Sequence, residues 1–257
     1  MLNNNQLTGL VAVITGAGGE IGSATARLMA ARGASVVGVD RDAGTMAPLS
    51  AELGAAFLAV AGDVTDEDSV RNYVKEATDA FGTIDIFFNN AGIEGPVHPI
   101  GEFPLETFRK VVDVNMIGVF LGLKHVVPLM MAAGKGSVIN TSSVAGLTGT
   151  AGICAYNATK HAVIGLTRSV AAEAAPKGVR VNSINPGPIA SRMMSSLEDG
   201  LGRGNGAAVK DALSGMIPAG RYGTPGEVAA LVAFLASEDA RYIYGAVLAL
   251  DGGFTVG

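Results

Sequence analysis

A phenol and an ammonium stand four residues apart in this chain. They are Tyr156 and Lys160, in Tyr156-Asn157-Ala158-Thr159-Lys160, a spacing that puts both on one face of a helix. A free phenol titrates near 10 and needs help to exchange a proton at neutral pH. A neighbouring ammonium favours the phenolate and is expected to lower that value. The pair is a candidate acid/base for a step that takes a proton from an oxygen or returns one to it. Ser143 lies upstream of it and can hydrogen-bond a substrate oxygen whose charge is changing. Ser142, at the same strand end, faces the other way.

The second chemical feature is a glycine loop, Thr15-Gly16-Ala17-Gly18-Gly19-Glu20-Ile21-Gly22, after an apolar run and before a helical one. Gly16 permits a tight turn, Gly18 lets backbone approach a pyrophosphate, and Gly22 lets the helix pack close to the sheet. The helix N-terminus then offers free N–H groups and its positive end to the phosphates. Asp40 ends the next apolar run, where a carboxylate accepts hydrogen bonds from the adenosine ribose hydroxyls and repels a 2′-phosphate. Glu20 adds negative charge, whereas Arg41 could pair with a 2′-phosphate. Two carboxylates against one guanidinium favour NAD over NADP.

Strands are expected at LVAVIT (10–15), SVVGVD (35–40), AAFLAV (55–60), IDIFF (84–88), GSVINT (136–141), VRVNSI (179–184) and GAVLAL (245–250). Most are apolar on both faces, as buried parallel strands are. Helical periodicity fills Ile21 to Arg32, Asp66 to Phe81 (with Thr65 as N-cap), Pro104 to Ala133, Ile153 to Ala175 and Pro225 to Ser237. Alternation of this kind predicts an α/β fold: one doubly wound, parallel, seven-stranded sheet with helices on both faces. No linker or repeat divides residues 1–257. Residues 190–220 break the rhythm with six glycines and three methionines. They read either as a lid over a ligand or as a loose insertion.

The 257 residues include 36 glycines, roughly twice the usual share. They are 49% hydrophobic and only 16% charged, which excludes a disordered chain. A net charge of −5 with no basic run argues against nucleic acid or an anionic membrane as partner. The N-terminal MLNNNQLTG has neither a basic segment nor an apolar one, so it does not read as a signal peptide. No uninterrupted apolar stretch approaches the roughly 20 residues that span a bilayer. The single cysteine fits a reducing compartment, and the chain reads as a soluble cytoplasmic protein.

In order and spacing, these motifs resemble the short-chain dehydrogenase/reductase family in its single-domain form, over essentially the whole chain. Thr15 to Gly22 is similar to TGxxxGIG, with Glu20 where the family has Gly. Asp63-Val64 resembles the adenine-contacting pair, and Asn89-Asn90-Ala91-Gly92 the NNAG element. Asn115, Ser143, Tyr156 and Lys160 match the catalytic tetrad. Pro186, Gly187, Ile189 and Ser191 resemble PGxIxT, with Ser for Thr. The resemblance implies a Rossmann-type fold and cofactor contacts from Gly16, Gly18, Glu20, Ile21, Gly22, Asp40, Arg41, Asp63, Val64, Asn90, Ala91, Gly92, Tyr156, Lys160, Pro186, Gly187, Ile189 and Ser191. It also implies that Lys160 binds the nicotinamide ribose, that Asn115 holds a water of a proton relay, and that the assembly is a homotetramer. FFNNAGIEG (87–95) and RYG (221–223) resemble NAD-dependent dehydrogenases of cyclic or secondary alcohols.

The expected reaction is therefore NAD-dependent interconversion of a secondary alcohol and a ketone, the small-molecule substrate being cyclic or bulky and largely apolar. A dinucleotide-sensing binding protein and a reductase of an acyl-carrier 3-oxo substrate are the alternatives. An epimerase or dehydratase of nucleotide sugars would want a larger C-terminal domain. Ser143 and Tyr156 head the substrate contacts. Cys154 lines the pocket or is a buried apolar thiol. Glu94 reaches the substrate mouth or is solvated, and Met193 and Met194 roof an apolar substrate or only pack the lid. His98, His125 and His161 show no metal spacing.

Overall fold

The computed structural model describes residues 6–256. Residues 1–5, which carry most of the segment weighed as a signal peptide, lie outside it. Seven strands run β1 Val11–Thr15, β2 Ser35–Asp40, β3 Phe57–Ala61, β4 Ile86–Asn89, β5 Gly136–Thr141, β6 Val179–Pro186 and β7 Val247–Leu250. All are parallel and lie in the order β3-β2-β1-β4-β5-β6-β7. The helices are α1 Glu20–Ala31, α2 Ala47–Leu53, α3 Glu67–Phe81, α4 Leu105–Val112, α5 Gly118–Ala133, α6 Cys154–Ala174, α7 Arg192–Leu201, α8 Gly206–Met216 and α9 Pro225–Ala236.

Strand alternation divides the core in two. Val13, Val37, Phe87, Val138 and Val181 face α3, α5 and α6. Their neighbours Ile14, Val36, Phe88, Ile139 and Ile184 face α1, α2 and α9. A sheet buried on both faces in this way has apolar residues at successive positions, the pattern legible in the sequence. The strand order reverses between β1 and β4, and the crevice outside their carboxyl ends is where such sheets bind ligands.

The ends of the elements carry their own signals. Asp66, not Thr65, caps α3 by accepting from the Ser69 N–H at 2.8 Å, so the expected cap moves by one residue. Thr224 and Glu227 form a reciprocal capping box at α9. At the other end of α9 the buried Arg180 donates to the carbonyls of Leu235, Ala236 (3.3 Å) and Ser237 (3.2 Å). A cation there satisfies orphan carbonyls and complements the helix dipole. Two glycines inside α5 allow close packing: a Cβ at Gly118 would lie 2.8 Å from Val64 Cγ2, and one at Gly122 2.7 Å from Phe87 Cζ.

Two expectations change. The helix expected over 104–133 is interrupted by a π turn, Asp113–Ile117, between α4 and α5. The whole run Leu105–Ala133 is nonetheless 29 helical residues, with a mean hydropathy of 1.7 over an 18-residue window, long and apolar enough to cross a membrane by length and composition. An uninterrupted-stretch criterion overlooks it because charged residues such as Glu106, Arg109, Lys110, Asp113 and Lys124 are spread along it. Its apolar side is instead committed to the sheet, with Val119, Leu123, Val126 and Met130 in the core. Residues 190–220, read as a lid or a loose insertion, hold α7 and α8.

Candidate active site

The glycine loop is shaped by backbone crowding. Gly16 adopts φ +67°, and a Cβ on it would lie 3.0 Å from Ala91 Cα. A Cβ at Gly22 would overlap the Gly16 carbonyl oxygen, which is why α1 can begin so close to the strand end. Asp40 Oδ2 accepts from the Gly18 N–H at 3.0 Å, fixing the loop against the end of β2. Thr15 Oγ1 accepts from the N–H groups of Asn90 (2.9 Å) and Ala91 (3.1 Å), joining the two walls of the crevice. Asn90 Nδ2 donates to Thr15 O, and Thr141 Oγ1 donates to Asn90 Oδ1. This crevice suits a dinucleotide: Gly16, Gly18 and Gly19 leave the loop backbone bare before α1, and the Asp40 carboxylate stands beside it.

The outlying sequence-predicted contacts have defined partners. Asp63 Oδ1 accepts from Thr65 N and Oγ1. Partial burial would raise its carboxyl, but these bonds and the charge of Arg41 outweigh that and hold it below the usual range. Val64 packs over α5 at Gly118. A Cβ at Gly187 would press on Asp251, and Ile189 bridges to Gly223. Ser191 caps α7, accepting from Met194 N at 3.3 Å.

Three elements bring the four acid/base residues together. Tyr156 and Lys160 share the first turns of α6, Ser143 follows β5, and Asn115 lies in the π turn. Asn115 is fully buried and pairs with one backbone unit: Oδ1 accepts from Ile93 N at 2.8 Å and Nδ2 donates to Ile93 O at 2.9 Å. Nδ2 also reaches Thr159 Oγ1 at 3.3 Å. Lys160 Nζ donates to Thr141 O at 2.8 Å and lies 5.4 Å from the centroid of the Tyr156 ring. Ser143 Oγ accepts from Ala145 N and contacts Pro186 O. Ser142 Oγ instead donates to Lys160 O, which anchors α6.

The expected lowering of the phenol is not present in the unliganded protein. Burial pushes Tyr156 up to about 12, Ser143 opposes this through a hydrogen bond, and the Glu94 charge adds to it. Burial also pulls Lys160 down to about 8. The reason is geometric: the ammonium is spent on Thr141 O, and desolvation penalises both charged forms. Tyr156 is thus loaded with its proton.

Above these groups opens a cleft. Ile21, Gly92, Ser143, Tyr156, Lys160, Ile189, Ser191, Met193 and Met194 are among the residues that line it. Sequence reasoning missed Leu197, Leu201, Leu213, Ile153 and Phe254, which also line it. Met194, Leu197 and Leu201 recur at helical spacing, a signal available in the sequence. Nothing local marks Phe254. Cys154 and Glu94 are not among the lining residues; Glu94 pairs with Arg192 at 3.1 Å. Glu20 reaches away from the loop to accept from Arg192 N at 2.8 Å. His98 stacks edge-on with Phe103, His125 pairs with Glu67, and His161 contacts Asn157 O. Among the described residues no three His, Cys, Asp or Glu side chains group as a metal site.

Comparison with known proteins agrees with this geometry. Residues 16–255 match the family model described as Enoyl-(Acyl carrier protein) reductase. Levodione reductase of Leifsonia aquatica is 42% identical, covering 96% of this chain and 95% of its own. Cyclohexanol dehydrogenase of an Acinetobacter species is 39% identical, covering 98% and 97%. A crystal structure of levodione reductase superposes with a TM-score of 0.95 at 41% identity, over 98% of this chain and 99% of that one. With the parallel sheet, the glycine loop and the buried Tyr-Lys pair, these matches show that the chain belongs to the short-chain dehydrogenase/reductase family and is an oxidoreductase acting on CH–OH groups.

Proposed function

We propose that this enzyme interconverts an apolar, cyclic secondary alcohol and its ketone with NAD as the cofactor. The observation that carries this reading is the convergence of Ser143, Tyr156 and Lys160 on one apolar cleft roofed by Met193, Met194, Leu197 and Leu201. A cyclic substrate agrees with the name of the cyclohexanol dehydrogenase relative. Asp40 supports NAD, because its carboxylate ends β2 beside the loop and would repel a 2′-phosphate. The bound nicotinamide would accept or return the hydride. Tyr156 gives its phenol proton to the carbonyl oxygen in reduction and takes it from the carbinol in oxidation. Ser143 holds that oxygen, Lys160 supplies positive charge beneath the ring and would hold the nicotinamide ribose, and Asn115 braces the relay behind Lys160.

The reading extends to the remaining predicted contacts. Gly16, Gly18, Ile21, Gly22, Asp63, Val64, Asn90, Ala91, Gly92, Pro186, Gly187, Ile189 and Ser191 border the cofactor within one domain spanning 1–257. Residues 190–220 form its lid. The lone Cys154 fits a cytoplasmic setting. The apolar exposed side chains of α5, Phe120 and Leu129, support assembly as a homotetramer.

A panel of cyclic, aromatic and acyl-carrier substrates, each assayed with NAD+ and NADP+, tests the proposal. Turnover confined to acyl-carrier substrates, or dependent on NADP+, would overturn it. Sedimentation as a monomer at micromolar concentration would remove the tetramer.

A further inference from the structure

β7 ends at Leu250, and the chain then folds back on itself from Asp251 to Thr255. The Asp251 carboxylate organises the fold-back. Its Oδ1 accepts from Gly253 N at 2.9 Å, and its Oδ2 accepts from Thr255 N at 2.9 Å and from Thr255 Oγ1 at 2.6 Å. Gly252 and Gly253 adopt φ +64° and +91°, successive left-handed positions that favour glycine. The side chain that these bonds bracket is Phe254, which is half-buried and lies on the wall of the cleft. We propose that Phe254 is a specificity-determining residue, the aromatic wall against which an apolar ring of the substrate lies, and that Asp251 is the residue that positions it. This rests on the cyclic-alcohol reading above.

A saturated ring that carries one carbinol offers a protein a single polar handle. Tyr156 and Ser143 take that handle and leave the ring free to pivot about it. Orientation must then come from apolar surface of fixed shape. Met193 and Met194 of α7 reach the cleft, but a methionine side chain has three rotatable bonds and adapts to many shapes. A phenyl ring is a rigid plane with a large apolar face. Among the described residues of the cleft wall the aromatic ones are Phe254 and Tyr156, and Tyr156 is committed to the proton. The backbone under Phe254 is held from two sides. Gly187 N donates to Leu250 O at 3.0 Å, and a Cβ at Gly187 would lie 2.8 Å from Asp251 Cα, so the fold-back starts hard against the end of β6. Gly252 O accepts from Ala219 N at 3.0 Å in the segment that follows α8, and a Cβ at Gly253 would lie 3.0 Å from Pro218 Cγ. The ring thus stands on backbone tied to the sheet, not on α7.

The test compares cyclohexanol with a trimethyl-substituted cyclohexanol, both oxidised with NAD+. Phe254→Ala is expected to raise KM for cyclohexanol more than it lowers kcat. It should raise the kcat/KM ratio of the larger alcohol over the smaller by about tenfold or more. Phe254→Leu moves the ratio the same way by a smaller step. Asp251→Ala reproduces the Phe254→Ala ratio, and Asp251→Asn, which keeps one oxygen as an acceptor, recovers part of the wild-type value. An equal loss on both alcohols in Phe254→Ala, or an unmoved ratio, overturns the assignment of Phe254. The same result in Asp251→Ala overturns the positioning. A second readout needs no turnover. The chain has no tryptophan, so Phe254→Trp carries a single indole. Cyclohexanone with NAD+, a pair that cannot react, is expected to shield its emission from acrylamide, and unchanged quenching overturns the wall. Asp251→Ala in the same background is expected to red-shift the emission of the unliganded protein, and an unmoved emission overturns the positioning. A wild-type protein that turns over no cyclic alcohol with either cofactor would instead overturn the functional reading, leaving the unliganded emission to decide the positioning.

Discussion

The Lys160 ammonium supports Tyr156 from beneath its ring rather than through a hydrogen bond to its hydroxyl. Nζ is 5.4 Å from the ring centroid and donates its short bond, 2.8 Å, to Thr141 O. Removing the phenol hydroxyl should therefore leave the lysine in place. Tyr156→Phe is expected to lower kcat by about 10²- to 10⁴-fold, the usual contribution of a positioned acid/base, with an unchanged circular dichroism spectrum. Steady-state kinetics on the purified variant decides it.

Lys160 also gives a pH signature in stability. Its folded value of about 8 lies below the unfolded value near 10.5, so between those pH values the unfolded chain binds the extra proton. Stability from this group rises with pH across that window, and below pH 8 its burial costs up to about 3 kcal/mol. Lys160→Met removes the dependence. Urea unfolding of both proteins at pH 7 and pH 10 should show the wild type gaining on the variant.

Cofactor choice should turn on Asp40. Replacing Asp40 by Ser removes the charge proposed above to exclude a 2′-phosphate and frees the Gly18 N–H. The ratio of kcat/KM for NADP+ over NAD+ is expected to rise about tenfold or more, equivalent to roughly 1.4 kcal/mol. An unchanged ratio would assign selection to Glu20 or Arg41.

Thr224 should matter through one helix end. It accepts from Glu227 N while Glu227 accepts from Thr224 N and from Arg221. Thr224→Ala is expected to cost about 1 kcal/mol in thermal or urea unfolding. Glu227 is held down to about 2, first by Arg221 and then by Thr224. Its folded value is depressed, so its contribution is present above about pH 4.5 and disappears as pH falls toward 2. Glu227→Gln should abolish that part of the acid sensitivity.

Much of this was legible before the fold was known. The seven apolar runs mark a sheet covered on both faces, because a strand with no wet side has no reason to alternate. The Tyr156-Lys160 spacing survives folding because an α-helix preserves four-residue neighbours. What escaped depends on contacts distant in sequence. The raised phenol follows from burial and from Glu94, neither of which a four-residue window contains. Glu20 reads as cofactor charge in the loop, yet it holds a residue 172 positions away. Phe254 joins the cleft only because β7 ends beside β6. The caps and the π turn are decided by single hydrogen bonds, below the resolution of periodicity.

The π turn makes the chain sensitive to count as well as to chemistry. An added residue in a helix turns everything beyond it by about 100° relative to what precedes. Asp113–Ile117 thus sets the angular offset between the polar α4 and the apolar α5, with Asn115 facing Ile93 at the joint. Here a one-residue deletion would preserve helicity and composition yet aim the amide away from its backbone partner. The segment behaves as a phase setting, tolerant of many side chains on its outer face and intolerant of any change in length.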